Sequence, residues 1–170
     1  MFHSRTAFAA GLLASASLFA HAAAKPDQSF VDKAARGGMT EVALSRLAAD
    51  KAADARVKDF AAHMVKDHTK AGDELEEVAS GKGYAVPSAL DTEGRHAKDK
   101  LAGLSGAAFD QAYMAQMLAD HKKTVALFET EARGGKDAGL KAFAEKTLPT
   151  LKDHLKMAQE TAAGVKTASR

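Results

Sequence analysis

Four stretches of this chain carry apolar side chains at alternating spacings of three and four residues, and proline interrupts only one of them. That period is one face of an α-helix; a half-buried strand would alternate every second residue instead. The first stretch runs from Gln28 to Lys51, with Phe30, Ala34, Leu44 and Ala48 on the stripe. The second runs from Ala55 to Ser80 through Val57, Ala61, Met64, Leu75 and Val78. The third runs from Ala107 to Arg133 through Met114, Met117, Val125 and Phe128. The fourth runs from Asp137 to Gly164 through Leu140, Ala144, Leu151 and Ala158. Pro149 lies inside this last stretch and is expected to kink or open the helix just before His154. An alanine-rich, charge-rich composition with only 3 prolines in 170 residues reinforces an all-α fold.

Punctuation fits the same plan. Asp27 or Ser29 is placed to cap the first helix and Asp54 the second, because short oxygen-bearing side chains accept from unpaired N–H groups at helix starts. Gly81-Lys82-Gly83 and Gly134-Gly135 close the second and third helices. Gly37-Gly38 falls inside the first helix and marks a kink or a close helix contact. The segment 84–106 is too long for a structureless connection, and a short helix is expected over Leu90 to Leu101, started by Pro87-Ser88. A long connection between the second and third helices distinguishes a ferritin-like four-helix bundle from a simple up-down one.

The stripes are not wholly apolar. Glu41, His68, His121 and His154 occupy core positions, one on each helix, and Asp110 joins them on the third. The hairpins repeat weakly: Val42-Ala43-Leu44 with Lys58-Asp59-Phe60-Ala61 resembles Val125-Ala126-Leu127 with Lys141-Ala142-Phe143-Ala144. Counted from the two tight turns at a rise of ~1.5 Å per residue, Glu41, His68, His121 and His154 fall within roughly 5–8 Å of a common depth. Buried unpaired polar groups cost several kcal/mol each, on the order of 2–7, so the four must satisfy one another, hold water or hold a metal. Neutral imidazole with a carboxylate suits Fe, Cu or Zn. Asp67, Asp120 and Asp153 precede the three histidines and point ~100° round each helix, toward solvent or toward a neighbouring helix as partners of the imidazoles. Met64, Met114 and Met117 read as core filler with a copper(I) option.

The first 24 residues read as a signal peptide. Arg5 supplies a basic start, Ala7 to Ala20 an apolar run, and Ala22 to Ala24 a small-residue cleavage region. The expected organisation is a signal peptide over 1–24, a helical bundle over 25–165 and a polar tail over 166–170. The mature chain is expected in the periplasm or secreted, and not integral to the membrane after cleavage. With no cysteine it is not a lipoprotein, and a metal site must use His, Met or carboxylate. A net charge of +2 with interspersed signs gives no reason to propose a nucleic-acid partner.

Several segments together carry a family resemblance: Phe30-Val31, Gly38-Met39-Thr40-Glu41-Val42, Met64-Val65-Lys66-Asp67-His68, Leu104 to Asp110 with Tyr113, Asp120-His121, and Thr147-Leu148-Pro149 with His154. Over about Phe30 to Glu160 the chain resembles the domain-of-unknown-function 4142 family. The resemblance implies an exported bacterial protein with a ferritin-like helical bundle, and it implies no agreed active site. Ferritin-like di-iron proteins place Glu-x-x-His on two core helices. Here Val65, Leu118 and Leu151 stand three residues before the core histidines, and the sole Glu-x-x-His, Glu93 to His96, lies in the long connection. That disfavours a di-iron oxidase. No phosphate loop, dinucleotide fingerprint or Ser-His-Asp setting is present, so the reading leans away from an enzyme. Two functions stand: a non-catalytic envelope or stress protein acting through a protein partner, and a metal-binding bundle using Glu41, His68, His121 and His154.

Overall fold

The structure, a computed structural model, describes residues 25–168, with side chains through Val165. The expected signal peptide lies outside the described residues. Among them are five helices and no strand: α1 (Gln28–Lys51), α2 (Ala55–Ser80), α3 (Thr92–Ala102), α4 (Gly106–Gly134) and α5 (Ala138–Ala168). The first two long helices match the sequence reading, and α4 is longer by one residue at each end. α5 runs to Ala168, past the expected end at Gly164 and into the expected tail. Pro149 sits within it without ending it. None of the helices is long and apolar enough to cross a membrane among the described residues.

α1 packs against α2 and α4 against α5, and the two hairpins meet through α1 with α4 and α2 with α5. The short α3 lies against α1. It starts at Thr92 rather than Leu90, because Asp91 caps it by accepting from the Gly94 N–H at 2.8 Å. Gly94 is required there: a Cβ would stand 2.4 Å from the Thr40 hydroxyl of α1.

The hairpin resemblance extends to the contacts that set helix register. Asp110, at the start of α4 and buried, accepts from the Ala53 and Asp54 N–H groups at 3.1 and 2.9 Å, pinning the α1–α2 turn. Asp27, at the corresponding position before α1, accepts from the Lys136 and Asp137 N–H groups at 2.9 and 2.6 Å, pinning the α4–α5 turn. Asp27 therefore does not cap its own helix, as expected from sequence, but the opposite hairpin. Asp54 and Asp137 in turn cap α2 and α5, accepting from Arg56 and Gly139 N–H groups. Each hairpin thus begins with a carboxylate that fixes the other's turn, and the relative depth of all four helices follows.

The core is in two parts. One cluster holds Leu44, Val57, Phe60, Met64, Tyr113, Met117 and Ala158. The other holds Phe30, Val31, Leu75, Phe128, Phe143 and Leu151. Phe30 meets Phe128 edge-on with ring centres 5.1 Å apart. On every long helix the two clusters are separated by about two to three turns, and the buried residue in the gap is polar: Glu41, His68, His121 or His154.

Candidate metal centre

The four polar core residues converge. The rings of His68, His121 and His154 lie 5.3–5.5 Å apart, centre to centre. One ring nitrogen from each lies within 4.8 Å of the other two. Glu41 enters from α1, with Oε2 2.9 Å from His68 Nε2 and Oε1 3.4 Å from His121 Nδ1. It touches two of the imidazoles rather than sitting equally among three. All four residues are between 0% and 6% exposed.

Hydrogen bonds orient two of the rings. His121 Nδ1–H donates to the Met117 carbonyl at 2.9 Å, one turn back on α4. His154 Nε2–H donates to Asp67 Oδ2 at 3.0 Å, across from α5 to α2. Each bond fixes a tautomer and leaves the other nitrogen with a lone pair: Nε2 of His121 and Nδ1 of His154. Those two atoms, His68 Nε2 and both Glu41 oxygens are buried without a hydrogen-bond partner. Glu41 Oε2 and His68 Nε2 approach only each other, as a close ion pair.

The electrostatics follow from that closeness. Burial opposes the charge on Glu41, but His68, then His121 and His154, outweigh it and hold the carboxyl below its ordinary range. Burial likewise opposes a charged His68, yet Glu41, assisted by Asp67, raises its pKa. Burial lowers the pKa of His154; Asp67 opposes this, and the neighbouring histidines reinforce it. When nothing else is bound, the layer therefore favours a negative Glu41 paired with a positive His68 and disfavours charge on His154.

The aspartates before the histidines separate. Asp67 reaches His154. Asp120 is half-buried and accepts from Gln116 Nε2 at 2.8 Å on its own helix. Asp153 is exposed. Met64, Met114 and Met117 pack into the apolar cluster beside Phe60 and Tyr113. Glu93 and His96 are exposed on α3. Sequence reasoning missed two buried groups. The Tyr113 hydroxyl pairs with Ser45 Oγ at 2.8 Å, and burial drives its pKa up. Glu131, at the far end near Asp27 and Asp137, is raised to about 7, chiefly by burial. A Glu on the buried stripe of α4 was the available signal for the second.

The fold and this layer define an all-helical protein with a buried His₃ and carboxylate cluster. The chain belongs to the family described as Domain of unknown function (DUF4142), whose profile matches residues 13–161. Two solved structures share the fold, both of CopM in the Ag-bound form, one obtained by co-crystallization and one by soaking. They are 18% and 17% identical, cover 79% and 80% of this chain and 93% of that protein, and superpose with a TM-score of 0.65. No curated protein matches the chain in sequence.

Proposed function

We propose that this chain is an exported, ferritin-like four-helix bundle that binds a transition-metal ion between His68, His121 and His154, with Glu41 beside them. One observation carries the reading. His121 Nε2 and His154 Nδ1 face one buried layer without hydrogen-bond partners, and the two Glu41 oxygens and His68 Nε2 have only the contacts within that layer. The competing reading, a buried hydrogen-bond network in an envelope interaction protein, requires partners for these atoms. The large majority of buried side-chain polar atoms in natural proteins have a partner, so several without one in a single layer call for an explanation. A metal satisfies three imidazole lone pairs at once, and the acceptors behind His121 and His154 are the outer partners that metal-binding histidines use. The likeness of fold to CopM in its Ag-bound form agrees with a metal role. The periplasm or the exterior is the compartment that the leader over 1–24 implies.

The test is elemental analysis of protein purified without chelator, with thermal melting before and after metal addition. One transition-metal ion per chain is expected, and saturating metal at ~100 Kd should add about 2.7 kcal/mol of stability. His121→Ala abolishes both effects, and His96→Ala on α3 leaves them unchanged. No bound metal and no melting shift with Fe, Cu, Zn or Ni removes the proposal.

A further inference from the structure

Resting on the metal-binding reading, we infer that the centre selects a divalent ion of borderline character, such as Zn²⁺ or Cu²⁺, over the monovalent soft ions Ag⁺ and Cu⁺. Two independent features carry this, donor chemistry and charge balance.

The donors that converge are nitrogen and oxygen. Three imidazoles and a carboxylate favour borderline ions, whereas thiolate and thioether favour soft monovalent ones. The chain has no cysteine. Met117 and Met64 stand one turn before His121 and His154's neighbour His68 on their helices, but both belong to the apolar cluster below the layer and are fully buried there. The Met117 carbonyl oxygen is held by His121 Nδ1–H.

Charge points the same way. With neutral histidines, the carboxylates touching the imidazoles are Glu41, 1% exposed, and the half-buried Asp67, while Asp120 interacts with Glu41 and His121 beside the compensating Lys123. Two negative charges against a divalent ion leave the assembly neutral. A monovalent ion offsets only one of the two, and the other is left to the partial solvation of Asp67. Glu41 contributes its charge at the layer whether it binds the ion directly or lies beside it. Little rearrangement is needed: nitrogens bound to a tetrahedral ion at ~2.0–2.1 Å sit ~3.3 Å apart, and here they are already within 4.8 Å.

The experiment uses the whole purified protein, stripped with chelator. Zn²⁺, Cu²⁺ and Ag⁺ are titrated separately by calorimetry, and the Zn²⁺-loaded protein is then challenged with a tenfold excess of Ag⁺. The expected result is one His121-dependent Zn²⁺ or Cu²⁺ per chain that Ag⁺ does not displace. Glu41→Gln, which keeps shape and removes one charge, should weaken Zn²⁺ binding at least tenfold and change any Ag⁺ binding less than threefold. Far-ultraviolet circular dichroism of both variants separates lost binding from lost folding, and His154→Gln replaces His121→Ala if the latter unfolds. Displacement of Zn²⁺ by Ag⁺ at the same histidines overturns the selectivity while leaving a metal centre in place. Failure of every ion to bind in a histidine-dependent way overturns the metal-binding reading as well.

Discussion

Asp67→Ala separates a side chain that serves the metal from one that serves the fold. Asp67 lies on α2, immediately before His68, yet its carboxylate accepts from His154 Nε2 of α5 at 3.0 Å. Its side chain is 32% exposed, so in the metal-free protein the contact is screened by water. Loss of such an exposed contact costs about 0–1 kcal/mol. With metal bound the same bond orients the ring, holds the Nδ1 lone pair inward and raises the basicity of the imidazole. Removing outer partners of that kind typically lowers affinity by about 10–100-fold, equivalent to ~1.4–2.7 kcal/mol. The variant should therefore unfold within about 1 kcal/mol of wild type without metal, and bind Zn²⁺ at least tenfold more weakly. Chemical denaturation of the stripped protein and calorimetric titration give the two numbers. Unchanged affinity with a large loss of metal-free stability would refute the reasoning, because Asp67 would then be a structural latch between α2 and α5.

Other consequences concern the frame that holds the centre. Asp110→Ala leaves the part-buried N–H groups of Ala53 and Asp54 without their acceptor, and should cost about 1–2 kcal/mol in denaturant unfolding; a loss below ~0.5 kcal/mol would show that the turn is held otherwise. Glu131 has a raised pKa of about 7. Its fold-imposed cost is absent below the ordinary carboxylate range, grows as pH rises from there, and is complete above about 7. The residue is 7% exposed, although its covering layer is thin, so Glu131→Gln should stabilise by about 1–2 kcal/mol at pH 8 and by nothing measurable at pH 4; equal effects at both pH values would contradict it. For the metal-free Glu41–His68 pair, the lowered carboxyl contributes stability that is lost in strong acid, and the raised imidazole contributes stability that is lost as pH climbs through its folded pKa. A melting profile that rises steadily from pH 6 to pH 9 would not fit.

Local periodicity makes the helices and the inward residues legible in the sequence. The stripes placed Glu41, His68, His121 and His154 on core faces, and turn-to-turn counting placed them near one depth; the structure brings them together. What sequence did not give is anything that crosses between helices. Asp27 reads as a cap for the helix it precedes, because a local cap is the usual use of such a residue. Its use by the α4–α5 turn depends on how the hairpins dock. The three Asp-His pairs look equivalent along the chain, yet only Asp67 bridges to another helix's histidine. Adjacent helical residues differ by ~100° in direction, so a small rotation of each helix decides which aspartate meets a neighbour. Packing around α2 and α5 fixes that rotation, and no local pattern encodes it.

The most direct test of the central claim is X-ray absorption spectroscopy at the metal edge of the Zn²⁺- or Cu²⁺-loaded protein, compared with the His121→Ala variant. The account predicts a nitrogen and oxygen shell with about three imidazoles and no sulfur, lost in the variant. A shell containing methionine sulfur, or an unchanged imidazole count in the variant, would contradict it.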